Sequence, residues 1–336
     1  MSSAPTAEDI ARDATWLAQA LDPAAGVVRL IAMDREAYRE ASFLDDRMLQ
    51  QPVDAQNVAW PAIEDAMSGE LRQDARWIFH IGHVGSTLIS RLLGELEGVL
   101  GIREPRLLRD LAMCPPEIRG RYAAPVPKLM SRAFGEDEYA CVKATSFVSE
   151  IAPELVPAGE RALFMFATPR NYIASILAGE NSVKEMHMLA ANKAQRLSRR
   201  VSALWAAHND AQLAAIAWAC EMTGLEAAAD AMTDRNIEWA DFDFMLAQMS
   251  SELGRVAAFF GYTADEAQIE TVACGPLMGR YSKHLGYEYS PQLRSDLIGD
   301  ADSHFRSEID GALAMLHSAA EKSPLLARAM TRAKES

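Results

Sequence analysis

The stretch that decides the fold is WIFHIGHVGSTLISRLL, residues 77–93. Residues 77–81 are aromatic and β-branched, the composition of a buried strand. Gly82 and Gly85 bracket a tight loop, where the lack of a Cβ lets backbone N–H groups close on an anion. Ser86 and Thr87 open a helix whose apolar residues Leu88, Ile89, Leu92, Leu93 and Leu96 recur at helical spacing. A helix N-terminus carries free donors and partial positive charge, so strand, Gly loop and helix together suit a phosphate or sulfate. The alternative is an ordinary strand–turn–helix with a Ser cap. The loop is not a Walker A motif, which needs Lys directly after its last Gly; Ser86 stands there.

Working outward, residues 139–143 (YACVK) and 161–167 (RALFMFA) are two further continuous apolar runs, each followed by a loop and a helical pattern. Strands apolar on both faces that alternate with helices predict a parallel sheet covered by helices on both sides. Residues 1–76 read as a helical preface, with a helix over 7–21, a short strand over 27–33 and further helices over 35–44 and 60–71. Residues 77–336 form the α/β domain. Within it, residues 184–232 are rich in Ala, Leu and Met and lack Pro, a large helical insertion of two or three long helices. Residues 98–103 end the first unit, and Pro105 sets Glu104 in an extended conformation. A single long helix is expected over 117–134.

Composition narrows the function. Of 336 residues 49% are hydrophobic and 24% charged, which is globular. A net charge of −14 argues against nucleic acid or an anionic membrane surface as partner, since neutralising phosphates needs surplus Lys and Arg. Cys114, Cys141, Cys220 and Cys274 form no Cys-x-x-Cys pair, so neither zinc nor a disulfide framework is indicated, and a reduced, cytoplasmic setting is expected. No uninterrupted apolar stretch has signal-peptide or membrane-spanning length.

The loop Gly82-His83-Val84-Gly85-Ser86-Thr87 resembles the 5′-phosphosulfate loop of sulfotransferases that use 3′-phosphoadenosine 5′-phosphosulfate (PAPS), and the layout is similar to the tyrosylprotein type. His83 stands where that family has a basic residue and Val84 where it has a small polar one. The resemblance implies a P-loop fold, PAPS as co-substrate without a metal, and a small-molecule acceptor. It implies that Glu104, after the first helix, is the general base; a carboxylate in a closed, partly dry site can take a proton near neutrality. Lys143, at a strand end, would stabilise the bridging oxygen. The carboxyl edge of such a sheet is where ligands bind. His83 could share that role when protonated. Residues 168–175 resemble the family's 3′-phosphate segment: Ser175 matches its Ser, Ala167 stands in place of its Arg, and Arg170 would substitute. Arg280, Ser282 and Lys283 resemble the Ser-Lys loop that covers the nucleotide, with Ser282 at the transition state and Arg280 and Lys283 on phosphate.

Other features read as structure. Lys193, Arg196, Arg199 and Arg200 form a basic helical face expected to be solvated. The histidines show no metal-ligand spacing. Two further readings stay open: a P-loop kinase acting on a small molecule, and a binding protein that keeps the fold without the chemistry.

Overall fold

The computed structural model describes residues 5–202, 205–279 and 290–334. Its first part is not the helical preface expected for residues 1–76. The helix there stops at Arg12, and β1 (Trp16–Asp22), β2 (Val27–Ala32) and β3 (Ala55–Ala59) form an antiparallel three-stranded sheet in the order β1-β2-β3. Ile10, Ala14, Leu17 and Leu21 sit at helical spacing, but they fall partly in the helix and partly in a strand that is buried from Leu17 to Leu21. Asp13 closes the helix in extended conformation and its carboxylate accepts from the Thr15 amide at 2.8 Å, which turns the chain into β1.

The second sheet is the one the apolar runs predict. β4 (Arg76–His80), β5 (Val99–Arg103), β6 (Tyr139–Lys143), β7 (Arg161–Phe166) and β8 (Asn236–Asp241) are all parallel, in the order β5-β6-β4-β7-β8. All five residues of β4 and of β5 are buried, so helices cover both faces. Ring contacts cross one face from strand to strand. Phe79 meets its register partner Phe164 at 5.7 Å between centroids, and Phe164 meets Trp239 at 5.1 Å. The fully buried Phe79 and Phe164 rings each contribute roughly 1.5–3 kcal/mol by leaving water. The chain runs from β4 out to β5, back through β6, and then across β4 to β7. Strand order therefore reverses beside the carboxyl end of β4, the place where open α/β sheets bind ligands.

Two further departures bear on the site. Residues 98–103 do not merely end a unit; they include β5, an edge strand. Glu104 is not extended but left-handed, at φ +53. Its amide donates to the Lys143 carbonyl at 2.7 Å, and that bond bends the chain as it leaves β5 for the Arg106–Met113 helix. The helix expected over 117–134 is two, Pro116–Ala123 and Val126–Met130, because Pro125 and Pro127 supply no amide for a continuous ladder.

The helical insertion consists of Glu180–Ser198 and Asp210–Ala231. The C-terminal helices Pro291–His304, Arg306–Ala320 and Pro324–Arg332 follow. Among the described residues no helix is long and apolar enough to cross a membrane.

Candidate active site

The loop after β4 is built from its own backbone demands. Gly82, His83 and Gly85 all adopt positive φ, at +81, +55 and +57. Glycine takes that conformation without cost, whereas for His83 it costs on the order of 1 kcal/mol. Gly85 is further constrained from outside: a Cβ there would stand 1.9 Å from Cζ of Phe242, a ring only 1% exposed. The Phe242 face thus closes on the loop as no side chain would permit. The Ser86–Leu93 helix begins directly after it.

The amides of the loop do not all face a ligand. The Gly82 amide donates to Nδ1 of His80 at 2.9 Å. A ring nitrogen that accepts has no proton, so the hydrogen of His80 lies on Nε2, which donates to the Ala144 carbonyl at 2.9 Å. His80 therefore ties the loop to the end of β6, and Gly82 serves the loop's shape rather than an anion. Among the described residues, the amides of Val84, Gly85, Ser86 and Thr87 find no backbone acceptor, as expected at a helix start. Val84 itself is fully buried, so its side chain packs inside instead of meeting a ligand. These amides with the Ser86 and Thr87 hydroxyls form a concave donor set of the kind that holds tetrahedral oxyanions.

Two strand ends and the N-terminal segment then bring charges to that loop. Lys143, last residue of β6 and 1% exposed, donates from Nζ to Thr87 Oγ1 at 3.0 Å and pairs with the Glu104 carboxylate. Arg103 and Lys143 are register partners, so Glu104 follows β5 at the very level where Lys143 ends β6. The other Glu104 oxygen faces an Arg47 guanidinium nitrogen at 3.5 Å. Arg47 lies 3.3 Å above the Phe43 ring, and the Lys143 ammonium is 5.4 Å from the same ring. The N-terminal segment delivers these two residues by clamping the edge strand. The Leu44 amide donates to the Arg103 carbonyl at 2.7 Å, and the buried Arg103 guanidinium donates to the carbonyls of Ala41, Tyr38 and Arg39. Burial, aided by neighbouring Arg91, pushes the Arg103 pKa down to about 10.

A cavity of about 290 Å³ opens beside the loop. One end is lined by Thr87, Glu104, Lys143 and Arg47, the other by helices that follow β7. There Tyr172 and Ser175 of the Pro169–Leu177 helix face Glu185, Met186 and Lys193 of the Glu180–Ser198 helix. His83 lies between, with Nε2 3.8 Å from Glu185 and its ring edge-on to Tyr172 at 6.3 Å. The Ser175 hydroxyl donates to the Tyr172 carbonyl at 2.8 Å.

The residues singled out from sequence thus divide. Glu104, Lys143, His83, the loop from Gly82 to Thr87 and Ser175 all line one cavity. Arg170 does not. Its guanidinium turns to the C-terminal helices, where it pairs with Asp302 at 2.6 Å and with Asp310. Two carboxylates hold it there, so Arg170 cannot replace the missing strand-end Arg. Arg280, Ser282 and Lys283 lie outside the described residues.

Sequence reasoning missed Arg47, Phe43, Tyr172, Glu185 and Arg294, which also line the cavity. Arg294 comes from the Pro291–His304 helix and pairs with Asp243 at 3.0 Å. The basic face of residues 193–200 is expected in solvent, and Arg199 is exposed, yet Lys193 is half-buried and Arg196 buried against Glu221. The signal for them was Glu221 itself, a carboxylate inside the otherwise Ala-rich Asp210–Ala231 helix, which needs counter-charges. No group of three or more His, Cys, Asp or Glu able to hold a metal occurs among the described residues.

No family model matches this chain, and no curated protein matches it. Solved structures similar to it include the sulfotransferase domain from the curacin biosynthetic pathway, at 10% identity over 70% of this chain and 91% of that one, TM-score 0.44. Mouse sulfotransferase SULT7A1 complexed with PAP is 11% identical over 78% of this chain and 90% of that one, TM-score 0.41. A sulfotransferase from Alicyclobacillus acidocaldarius is 12% identical over 71% of this chain and 97% of that one, TM-score 0.37.

Proposed function

We propose that this chain transfers a sulfuryl group from PAPS to a hydroxyl or amine of a small molecule, in a cytoplasmic setting. One observation carries the proposal: the Lys143 ammonium bridges Thr87 on the anion loop and Glu104 at the cavity edge. A cation between an oxyanion cradle and a carboxylate is the minimum that group transfer between two oxygens requires. PAPS supplies the sulfuryl group, whose bond to the bridging oxygen breaks as one forms to the acceptor while the electron pair leaves with the phosphate.

The chain's own residues fit that demand. The amides of residues 84–87 and the two hydroxyls hold the phosphosulfate end. Lys143 and the helix start meet the negative charge that grows on the leaving oxygen. Glu104 accepts the proton that the acceptor loses. In the structure Lys143 pairs with Glu104; a phosphate on the loop draws the ammonium towards Thr87 and releases a carboxylate oxygen for the acceptor. Arg47 stays on the second oxygen and fixes the orientation of the carboxylate. Met186, Leu189 and Ile176 give the cavity an apolar wall for the acceptor.

The test is a transfer screen with labelled PAPS against phenols, alcohols and amines, repeated with Glu104→Gln. Label in a product with the native protein and its loss in the variant supports the reading. A thermal-shift comparison of 3′,5′-adenosine bisphosphate with Mg-ATP runs beside it. Stabilisation by Mg-ATP alone makes the chain a kinase. The two cations already held by Glu104 favour a second reading, a binding protein without turnover. It prevails if the bisphosphate binds and no acceptor is labelled.

A further inference from the structure

Among the described residues, each cation on the cavity wall faces a carboxylate. Arg47 pairs with Asp45 at 2.7 Å, Lys193 with Glu221 at 3.4 Å and Arg294 with Asp243 at 3.0 Å, and Lys143 pairs with Glu104. Nε2 of His83 lies 3.8 Å from Glu185, itself part of the wall. Lysine and arginine ordinarily keep their charge to about pH 10 or above, so for them the carboxylate only orients a cation that is already present. An imidazole is charged conditionally, and there the carboxylate decides whether a cation exists at all.

Both members of this pair are held by their backbones. His83 sits at φ +55 between Gly82, tied to His80, and Gly85, closed against Phe242. Glu185 belongs to the Glu180–Ser198 helix, where the next residue, Met186, is buried and Arg196 is anchored to Glu221 at 3.0 Å and to Glu150 at 2.8 Å. The His83 side chain is 18% exposed and that of Glu185 48%, so water screens the pair only in part. No other group around the imidazole supplies the negative charge. The Tyr172 ring meets it edge-on at 6.3 Å, and burial pushes the Tyr172 hydroxyl up, so the phenol stays neutral. Arg47, Lys143, Lys193 and Arg294 share the cavity and oppose a further positive charge. Glu104, the other carboxylate on the wall, is engaged by Lys143 and Arg47.

We propose that Glu185 is a positioning residue that acts through His83: it holds a proton on the imidazole, so that the anion loop carries a cation where sulfotransferases have a basic residue. The role of that cation rests on the PAPS reading above. An opposite charge within about 4–6 Å favours the charged form of a titratable group, and the partial exposure of the carboxylate weakens this effect without removing it. The conditional charge of His83 thereby joins Lys143 and the amides of residues 84–87 on the donor's anionic end.

The experiment follows the His83 ring by NMR in the full chain, with labelled histidine, from about pH 5.5 to about 8.5. His83→Lys identifies the signal by removing it. Glu185→Gln is expected to lower the midpoint of the His83 titration by at least about half a pH unit. A smaller movement overturns the assignment of Glu185. Calorimetric titration with 3′,5′-adenosine bisphosphate asks whether the cation serves the ligand. The ligand's own phosphates, with a second pKa of about 6, and the exposed His187 titrate in every variant and cancel in affinity ratios. The native affinity relative to that of His83→Lys is expected to fall at least about threefold as pH rises across the range. A flat ratio overturns the role of His83 on the loop. If the native protein does not bind the bisphosphate, the PAPS reading falls, while the NMR arm still decides whether Glu185 holds the proton.

Discussion

Gly85→Ala is the sharpest test of the loop. Two costs follow from its geometry. Residue 85 has φ +57, a conformation that costs an L-residue about 1–2 kcal/mol. The new Cβ would also lie 1.9, 2.1 and 2.6 Å from three atoms of the Phe242 ring. That ring is 1% exposed and has Arg294 packed over its face at 4.9 Å, so it cannot swing away freely. Overpacking of this kind typically costs about 1–3 kcal/mol. The sum is roughly 2–5 kcal/mol, read as the change in unfolding free energy from urea titration. The two parts separate in a double-mutant cycle. Phe242→Leu removes the offending ring atoms, so adding Gly85→Ala to that background should cost only the backbone part, about 1–2 kcal/mol. A Gly85→Ala protein within about 0.5 kcal/mol of the native one would refute the close approach of Phe242 to the loop. Equal cost of the alanine in both backgrounds would show that the ring contributes nothing.

Four further outcomes are expected. Glu104→Gln should lower transfer from PAPS by about 10²–10⁴-fold while leaving bisphosphate affinity within threefold, measured by calorimetry beside steady-state rates. Glu221→Gln leaves three buried or half-buried cations with one carboxylate and should destabilise by about 3–5 kcal/mol in urea unfolding; a change below about 1 kcal/mol would mean the cluster is solvated. Arg170→Ala should leave nucleotide affinity unchanged, since its guanidinium is held by Asp302 and Asp310; a tenfold loss would place it in the site after all. Asp46 accepts from Arg106 and lies near Arg29 and Arg109, which hold its carboxyl below the usual range. A depressed acid stabilises the fold above its unfolded pKa of about 3.9 and loses that effect as pH falls through the folded value. Asp46→Asn should therefore cost about 0.5 kcal/mol at pH 7, the scale of an exposed pair, and nothing at the acid end of a urea-midpoint series against pH.

The inner strands were legible because burial on both faces leaves an uninterrupted apolar run, and β4, β6 and β7 each have one. β5 was not, since Gly101 and Arg103 interrupt the run and Gly98 reads as the end of a helix. Yet Arg103 is buried because its guanidinium satisfies three carbonyls of the N-terminal segment, a long-range match that no local pattern reports. β1 was misread because Leu17 and Leu21 continue the helical spacing of Ile10 and Ala14 while their spacing also fits one face of a regular strand, and only the turn at Asp13 decides between them. The loop, Glu104 and Lys143, which line one cavity, were singled out through their order along the chain. Arg47 was hidden, because its relevance depends on the Leu44–Arg103 bond that lays the N-terminal segment along the sheet edge. The basic face around Lys193 misled for the opposite reason: charge at helical spacing signals solvent unless a partner helix carries the buried counter-charge, as Glu221 does here.

Two non-glycine residues have positive φ among those described, His83 and Glu104, and both line the same cavity. Such backbone strain, about 1–3 kcal/mol per residue, persists only where surrounding structure over-determines it. For Glu104 the agent is Lys143, whose carbonyl takes the backbone amide while its ammonium takes the carboxylate. For His83 it is the pair of neighbours, Gly82 fixed through His80 and Gly85 fixed against Phe242. In both cases the direction of the side chain is set by a strand end rather than by its own rotamer freedom. A long acidic or basic side chain on an unstrained surface would sample many directions and lose entropy on meeting a ligand. Here that loss is already incurred on folding, through the sheet, and the cavity's charges stand in position before anything binds. Beyond a shift of the Lys143 ammonium from Glu104 towards Thr87, little reorganisation then remains for a ligand's charge to drive.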